Sequence, residues 1–366
     1  MNNEPRIRFV KYPFRLKKVL RNYIITLNIS LGNSFRKHSA LWTAAGFIIL
    51  IGFLGSITYL WLYIASHPEV STPKKNPALL ISGKEQTICV VDLEEYKIVD
   101  RPVYDFPVIH MSISSLKTNV FVSDKIHKLL YNIDGVTYKV LQKIPVHNDP
   151  GPVVTNLYGE IFVLHPGLNS LFSVDAVREK ETGVIPLDKN PTGMVISLGT
   201  GYIYVANTGS NNISIVDAKS RKVINSIALP GSPGKVALNS DKGILYVLLP
   251  ETDEFAEVDV INGIVKGTFS CEGKKPFDIA IHPKGKHLYI AARGSNTVSV
   301  FSLPEVKFEK NLLTGRDPIA LEFTARNELC VLNSGSDDLY IFTPYPHLKA
   351  RKIELGINVA EMVLVP

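Results

Sequence analysis

The sequence predicts an all-β fold, a seven-bladed β-propeller closed by its C-terminal strand and preceded by a single N-terminal transmembrane helix. Seven copies of one pattern, spaced by 41 to 43 residues, fill the chain from Ala78 to its end. Each copy contains four short apolar runs separated by turn residues, which indicates four strands. Four-stranded units of about 40–45 residues, repeated around an axis, are typical of a β-propeller.

The clearest copy shows how a repeat is built. It reads Tyr204-Val-Ala-Asn207-Thr-Gly-Ser-Asn-Asn-Ile-Ser-Ile-Val-Asp217: an apolar strand, a polar hairpin, and an alternating strand that closes on Asp. In every copy, the preceding strand ends ten residues before this closing position. The seven closing positions are Asp92, Asp134, Asp175, Asp217, Asp259, Ser302 and Thr343.

The two ends of the array are complementary. The first repeat starts at its second strand, Ala78–Ser82, and residues 357–366 form an apolar run that resembles a first strand with nothing after it. We therefore expect the C-terminal strand to complete the N-terminal blade. Closing the ring in this way leaves no long exposed edge between the first and last blades.

Three segments of the array resemble the repeat of the YVTN-type β-propellers. The segment from Tyr204 to Asp217 carries the resemblance most clearly, and Arg293-Gly-Ser-Asn-Thr-Val-Ser-Val300 and Asn333-Ser-Gly-Ser-Asp-Asp-Leu339 are weaker copies. The first three repeats depart furthest, although their spacing holds. The resemblance covers residues 78–366 and implies a propeller. Related propellers include surface-layer-like proteins, lactonases and d1-haem-binding domains, so the fold alone leaves the function open.

The first 77 residues predict membrane attachment. Residues 1–38 form a basic tail with nine Lys or Arg and one acidic residue, Glu4. Residues 39–66 contain Leu41–Ala65, 25 residues without a charge, which as a helix span about 37 Å against a hydrocarbon core of about 30 Å. Cleaved signal peptides have a shorter apolar region of about 7–15 residues. We predict an uncleaved signal anchor with a cytoplasmic N-terminus and an extracytoplasmic propeller.

Two shorter segments flank the predicted span. Residues 15–31 place apolar side chains at helical spacing opposite Lys and Arg. This pattern suits either a basic amphipathic helix on the inner leaflet or a disordered positive tail that only sets topology. Residues 67–77 contain Pro68, Pro73 and Pro77 and predict a stiff linker that reaches about 35 Å at most. The propeller should therefore stay close to the membrane.

The charge distribution excludes a typical nucleic-acid-binding protein, and the cysteine spacing excludes a disulfide framework or a cysteine metal site. The net charge of +6 comes from the tail, because the rest of the chain holds 31 basic and 33 acidic residues. A near-neutral domain lacks the basic footprint of a nucleic-acid-binding protein. The three cysteines, Cys89, Cys271 and Cys330, lie in separate repeats without metal-ligand or disulfide-framework spacing. We expect each to be a small buried apolar residue.

Alignment of the repeats predicts a polar channel mouth. The positions where the chain starts each innermost strand include four titratable residues, and the neighbouring hairpins add a second polar set on the same face. These groups suit a ligand-binding or hydrolytic site, a rim that binds a protein or polymer, or a solvated channel mouth. The first set is His110, Lys235, Asp278 and Glu361, and the second is Asp124, His165, Asn207, Arg293 and Asn333.

Three functions follow as hypotheses. The leading one is a non-enzymatic, membrane-anchored propeller that binds an envelope protein or cell-wall polymer, because no GxSxG, HExxH or GxxxxGK[ST] motif is present. This hypothesis expects no cofactor and no metal. The second is a lactonase-type hydrolase that uses His110, Asp278 and Glu361 for acid–base chemistry. The third is d1-haem binding through His110, His147 or His165. The resemblance implies eight blades for such haem domains, and seven repeats count against it.

Overall fold

The computed structural model describes residues 78–83, 86–108 and 110–365. In these residues, 28 strands form seven four-stranded antiparallel sheets, and Pro166–Leu168 form a short 3-10 helix. Each sheet is one blade, and the inner strand of each blade packs against the inner strands of both neighbours. The predicted seven-bladed propeller is confirmed. The predicted tail, amphipathic segment, membrane span and linker lie outside the described residues.

Within each blade the four strands follow one another from the inner to the outer edge. Blade 1 contains β28 (Val359–Val365), β1 (Ala78–Gly83), β2 (Ile88–Asp92) and β3 (Lys97–Asp100). Blade 2 contains β4 (His110–Ile113), β5 (Asn119–Asp124), β6 (Leu129–Asp134) and β7 (Val140–Pro145). Blade 3 contains β8 (Val153–Thr155), β9 (Ile161–His165), β10 (Ser170–Asp175) and β11 (Lys180–Pro186). Blade 4 contains β12 (Pro191–Ile196), β13 (Tyr202–Asn207), β14 (Asn212–Asp217) and β15 (Lys222–Ala228).

The remaining three blades have the same strand order. Blade 5 contains β16 (Val236–Asn239), β17 (Ile244–Leu249), β18 (Glu254–Asp259) and β19 (Ile264–Ser270). Blade 6 contains β20 (Pro276–Ile281), β21 (His287–Ala292), β22 (Thr297–Ser302) and β23 (Lys307–Leu313). Blade 7 contains β24 (Pro318–Phe323), β25 (Leu329–Asn333), β26 (Asp338–Phe342) and β27 (Ala350–Glu354).

The apolar pattern of each strand follows its place in the blade. The second and third strands are buried almost throughout, as in β13 and β14, because a neighbouring blade covers each face. The sequences of these strands are therefore continuous apolar runs. Outer strands such as β19 alternate between exposed and partly buried residues, because one face meets solvent. The core consists of hydrophobic clusters that lie between adjacent blades.

The C-terminal strand closes the ring as predicted. Strand β28 pairs antiparallel with β1, from Ala78 opposite Val365 to Ser82 opposite Glu361. Its side chains alternate between two interblade cores. Met362 and Leu364 pack into the core shared with blade 7, and Val363 and Val365 pack into the core shared with blade 2.

The recurring Asp that closes the third strand has a local structural role. In five blades its Oδ1 accepts a hydrogen bond from the backbone amide two residues on, and in four of these also from the next amide. Asp217, for example, accepts from the amide of Lys219 at 3.0 Å. An Asp side chain of this kind stabilises a tight turn by occupying its amides. This hydrogen bond explains why Asp recurs at the end of the repeat.

The loops divide between two faces. The upper face holds the hairpins between second and third strands and the loops that lead from each outer strand to the next inner strand. Three ion pairs join these loop types: Lys125 with Asp149, Lys274 with Asp253, and Arg293 with Asp317. The lower face holds the hairpins between first and second strands and between third and fourth strands.

All three cysteines lie in the interior of the propeller. Cys89, Cys271 and Cys330 are free and buried, which confirms the sequence-based expectation. Cys271 comes directly after β19 rather than within a strand.

The predicted membrane anchor precedes the propeller. Among residues 78–83, 86–108 and 110–365, no helix has the length and apolar character that a membrane crossing requires. The predicted anchor lies before this range and stays a prediction.

Candidate functional site

The structure brings together the four titratable residues predicted at the channel mouth. Lys235 Nζ lies 4.0 Å from Asp278 Oδ1 and 3.9 Å from Glu361 Oε1. His110 Nδ1 lies 3.9 Å from Glu361 Oε2. The four residues belong to blades 5, 6, 1 and 2, so Lys235 reaches across the channel to the closing strand. All three distances exceed hydrogen-bond length, and the attraction of the ammonium to the carboxylates is therefore Coulombic.

The carboxylates of Asp278 and Glu361 also accept hydrogen bonds from backbone amides. Asp278 Oδ2 accepts a hydrogen bond from the amide of Leu321 at 2.8 Å, and Glu361 Oε2 accepts one from the amide of Met111 at 2.8 Å. Each amide belongs to the inner strand of a following blade, whose channel-side edge has no strand partner. Each carboxylate thus ties two blades together with one oxygen and presents the other oxygen to Lys235.

Burial and the charges of Lys235, Asp278 and Glu361 shift the pKa values at the mouth. The pKa of Lys235 is raised by Asp278 first and by Glu361, against the opposing effect of burial. Burial raises the pKa of Asp278 and of Glu361, although Lys235 opposes the rise. The Lys235 side chain is still 49% exposed, because it faces the channel. A protonated ammonium is therefore held between two acids that are harder to ionise than usual.

His110 behaves differently from the other mouth residues. Burial lowers its pKa first, and the positive charges of Lys125 and Lys235 lower it further. The imidazole is therefore neutral at neutral pH and forms no strong ion pair with Glu361. A neutral imidazole beside a carboxyl group has the protonation state that a general base requires.

A further ionisable residue of the inner strands, Glu322, was missed by the sequence analysis. It lies in inner strand β24, two residues beyond the aligned start position Ala320. Burial raises its pKa to about 7, with Lys117 and Lys235 opposing the rise and Asp278 adding to it. The sequence contained a signal, because Glu322 is a lone acid within the apolar run from Ile319 to Phe323. The predicted mouth residues occupy one aligned position near the start of each inner strand, and Glu322 lies beyond it.

Three residues of the second predicted set are buried in their hairpins. Asp124 accepts from the backbone amide of Ile126 at 2.8 Å. Asn207 donates to Ser214 Oγ at 2.8 Å, and Asn333 donates to Asp338 Oδ1 at 2.9 Å. All three are almost fully inaccessible. They hold the hairpins in shape and do not form an exposed rim.

The buried His165 lies in a cluster with Glu181 and His147. His165 Nδ1 donates to the carbonyl of Asn148 at 2.9 Å, and Nε2 lies 2.7 Å from Glu181 Oε1. His147 Nδ1 bonds the other oxygen of Glu181. Burial alone would raise the pKa of Glu181, but the hydrogen bonds from the two histidines lower it. Both ring nitrogens of His165 are engaged with protein atoms, so His165 does not fit the role of a haem ligand.

Arg293, the remaining residue of that set, lines a surface cavity of about 500 Å³ beside the mouth. Its guanidinium carbon lies 4.5 Å from the centroid of the Phe277 ring. Its Nε and Nη2 bind the two carboxylate oxygens of Asp317, the second at 2.7 Å. Because Phe277 directly precedes Asp278, this cavity adjoins the channel mouth. We call it the Phe277 groove, and its lining is Pro250, Lys275, Pro276, Phe277, Arg293, Gly294 and Asp317.

Of the comparisons with known proteins, the one with solved structures supports the fold. No family model matches the sequence, and no curated protein sequence matches it. The YVTN-type resemblance therefore stays a prediction.

Three solved structures are similar to the chain. A functionally unknown protein from Desulfotomaculum acetoxidans has a TM-score of 0.67 at 17% identity, covering 80% of this chain and 99% of that one. The periplasmic gluconolactonase of Pseudomonas aeruginosa has a TM-score of 0.65 at 15% identity, covering 79% and 99%. A dihydro-haem d1 dehydrogenase has a TM-score of 0.61 at 12% identity, covering 76% and 63%. At these identities the likeness concerns the fold alone.

Proposed function

We propose that the protein is a membrane-anchored extracytoplasmic β-propeller that acts as a non-enzymatic binding module for an envelope protein or a cell-wall polymer. The observation that carries this proposal is the way the mouth carboxylates are used. Asp278 and Glu361 each hold a backbone amide of a following blade and face Lys235 with the remaining oxygen. Groups engaged in this way stabilise the ring, and the partner binds on the accessible surface beside them.

The Phe277 groove is the part of the upper face best suited to a partner. Phe277 is 39% exposed although it is aromatic, and Arg293 is positioned over its ring by Asp317. An exposed aromatic ring packs against sugar rings or apolar side chains, and a fixed guanidinium suits carboxylate or phosphate groups. The groove therefore suits either of the two partner classes.

Affinity capture tests this proposal. The full-length protein would be solubilised in mild detergent and used to capture partners from cells of its own source. We expect wild type to recover a partner and Phe277→Ala to lose it. Phe308→Ala is the matched control, because Phe308 is 38% exposed on an outer strand away from the groove. Digestion of the captured material with a protease or a glycosidase distinguishes protein from polymer. Recovery of no partner by wild type, together with robust turnover of a substrate, would refute the proposal.

A lactonase-type hydrolase is the second candidate. It is favoured by the lowered pKa of His110 beside Glu361 and by the fold likeness to a gluconolactonase. The test is hydrolysis of sugar lactones by wild type and by His110→Ala, Asp278→Asn and Glu361→Gln. His110→Ala is the sharpest variant, because the imidazole is half exposed and its removal spares the amide contacts of the carboxylates. Unchanged hydrolysis in His110→Ala would remove this candidate.

The haem alternative has less support from the described residues. His165 is excluded by its two hydrogen bonds, and His147 bonds Glu181 through one ring nitrogen. His110 lies at the channel mouth but within reach of Lys235 and Glu361. A haem absorption spectrum that is the same with and without the purified protein would dismiss haem binding.

A further inference from the structure

Exposed apolar side chains cluster on the lower face of three neighbouring blades. They stand at the tips of the hairpins that follow inner strands β4, β8 and β12 and of the turn between β10 and β11. Tyr158 is 92% exposed and Val177 is 93% exposed, which is unusual for side chains of this kind. We call this group the lower-face patch, and its members are Leu116, Leu157, Tyr158, Val177 and Leu198.

Polar contacts join the lower faces of these three blades. The amide of Ser115 donates to Thr155 Oγ1 at 2.7 Å, which joins the hairpin of blade 2 to that of blade 3. Arg221 Nη2 lies 3.8 Å from Glu160 Oε1, which joins blade 4 to blade 3. Tyr158 and Val177 line one shared cavity of about 360 Å³. The apolar tips thus lie on neighbouring blades, and two of them, Tyr158 and Val177, share one cavity.

The described chain begins on the same face, next to the patch. Ala78 pairs with Val365 and Asp92, at the lower ends of strands β28 and β2. A Cβ placed on Gly135 would lie 3.4 Å from Val365 Cγ1, so this end of blade 1 touches blade 2. The amide of Gly135 donates to the carbonyl of Thr118 at 2.8 Å, two residues beyond Leu116. The described chain therefore begins on the lower face, at the end of blade 1 that touches blade 2.

The length of the preceding segment limits how far this face can lie from a membrane. The predicted span ends at Ala65, and the predicted linker of residues 67–77 reaches about 35 Å at most. The described chain begins at Ala78 on the lower face, which is the face that carries the patch.

We infer that the lower-face patch docks on the lipid interface of the membrane that carries the predicted anchor. This inference rests on the anchoring in the proposed function. Tyrosine favours the membrane–water interface, and short Leu and Val tips bury their apolar area there. Arg178 and Arg221 line the same cavity as Tyr158, in ion pairs with Asp175 and Glu160, and keep its rim polar at headgroup level. Docking also explains how the propeller tolerates such an exposed patch.

Site-specific fluorescence in vesicles tests the inference. The three native cysteines are buried, so a single introduced cysteine can be labelled selectively. The full-length protein would be reconstituted into phosphatidylcholine–phosphatidylglycerol vesicles with Tyr158→Cys or, as the upper-face control, Ile126→Cys. Ile126 is also highly exposed but lies in the β5–β6 hairpin. A polarity-sensitive label at Tyr158→Cys should shift to the blue and be quenched at least twofold by nitroxide lipids, and the label at Ile126→Cys should stay unquenched.

Alkaline carbonate extraction distinguishes failure of the docking inference from failure of the predicted anchor. If the protein stays in the vesicles but the Tyr158→Cys label matches the Ile126→Cys label, docking is refuted and the anchor stands. If carbonate extracts the protein, the anchor is refuted and the inference falls with it. A Tyr158→Cys label that becomes shielded in detergent as protein concentration rises would assign the patch to a second copy of the chain and overturn the inference.

Discussion

Glu361 Oε2 accepts a hydrogen bond from the backbone amide of Met111, 250 positions earlier in the chain. The two residues lie on the inner strands of blades 1 and 2, on either side of the place where the ring closes. Main-chain pairing with β1 closes blade 1, and this side chain joins the closed blade to the next one. The closing strand thus contributes both a structural bond and a charge at the channel mouth.

Removal of residues 357–366 should abolish cooperative folding of the propeller. The deletion removes Met362, Val363, Leu364 and Val365, which fill two interblade cores. Burial of such side chains is worth about 1.5–3 kcal/mol each, and the sum is comparable with the total stability of a typical domain. Circular dichroism during heating and size-exclusion chromatography would measure the loss. Leu313→Ala, at a highly exposed apolar position, is the control. A monomeric truncated protein with wild-type stability would contradict ring closure by this strand.

Glu361→Ala should lower the free energy of unfolding by about 1–3 kcal/mol, because it leaves the Met111 amide without its acceptor. Glu361→Gln retains an oxygen at the same position and loses only the charge that faces Lys235. We therefore expect a smaller loss in Glu361→Gln. Urea unfolding of both variants at neutral pH measures the two values. An Ala variant as stable as wild type would show that solvent replaces this hydrogen bond without cost.

Glu322 should make the propeller less stable as pH rises from about 4.5 to about 7. Its pKa in the folded protein is about 7, whereas an unfolded Glu titrates near 4.3. Between these values the folded state keeps a proton that the unfolded state has lost, so rising pH favours unfolding. The full effect is on the order of 3 kcal/mol.

Glu322→Gln tests this effect because it replaces the acid with a neutral side chain of similar shape. We expect the variant to match wild type near pH 4.5 and to exceed its stability at pH 8, as measured by urea unfolding at both pH values. Glu305→Gln, at an exposed turn position, controls for general charge effects. An equal difference between Glu322→Gln and wild type at both pH values would contradict the raised pKa.

The three cysteines should not react with thiol reagents while the protein is folded. Burial raises the pKa of each thiol, and the thiolate is the reactive form. A colorimetric thiol assay should detect no fast-reacting group in native protein and three after denaturation. A native thiol that reacts within seconds would mean that one of these cores opens readily.

Much of the channel mouth could be predicted from the repeat alignment. His110, Lys235, Asp278 and Glu361 were identified because each inner strand starts at the same point of its repeat, so aligned positions meet at one end of the channel. Asp124, Asn207 and Asn333 were also placed on the correct face. Their burial could not be predicted, because it depends on hydrogen bonds within each folded hairpin. Glu322 was missed because it lies two residues further along its inner strand than the aligned position Ala320.

The sequence by itself determined the blades and the closure of the ring. The middle strands of every repeat are buried, so their sequences are local apolar runs such as Tyr204–Ala206. These runs can be recognised without the tertiary structure. Tertiary structure alone decided which charges meet and which face receives the chain. Lys235 and Glu361 are 126 residues apart, and only the closed ring brings their side chains across one channel. The same closure places Ala78 beside the lower-face patch, because strand pairing sets which end of β1 meets blade 2.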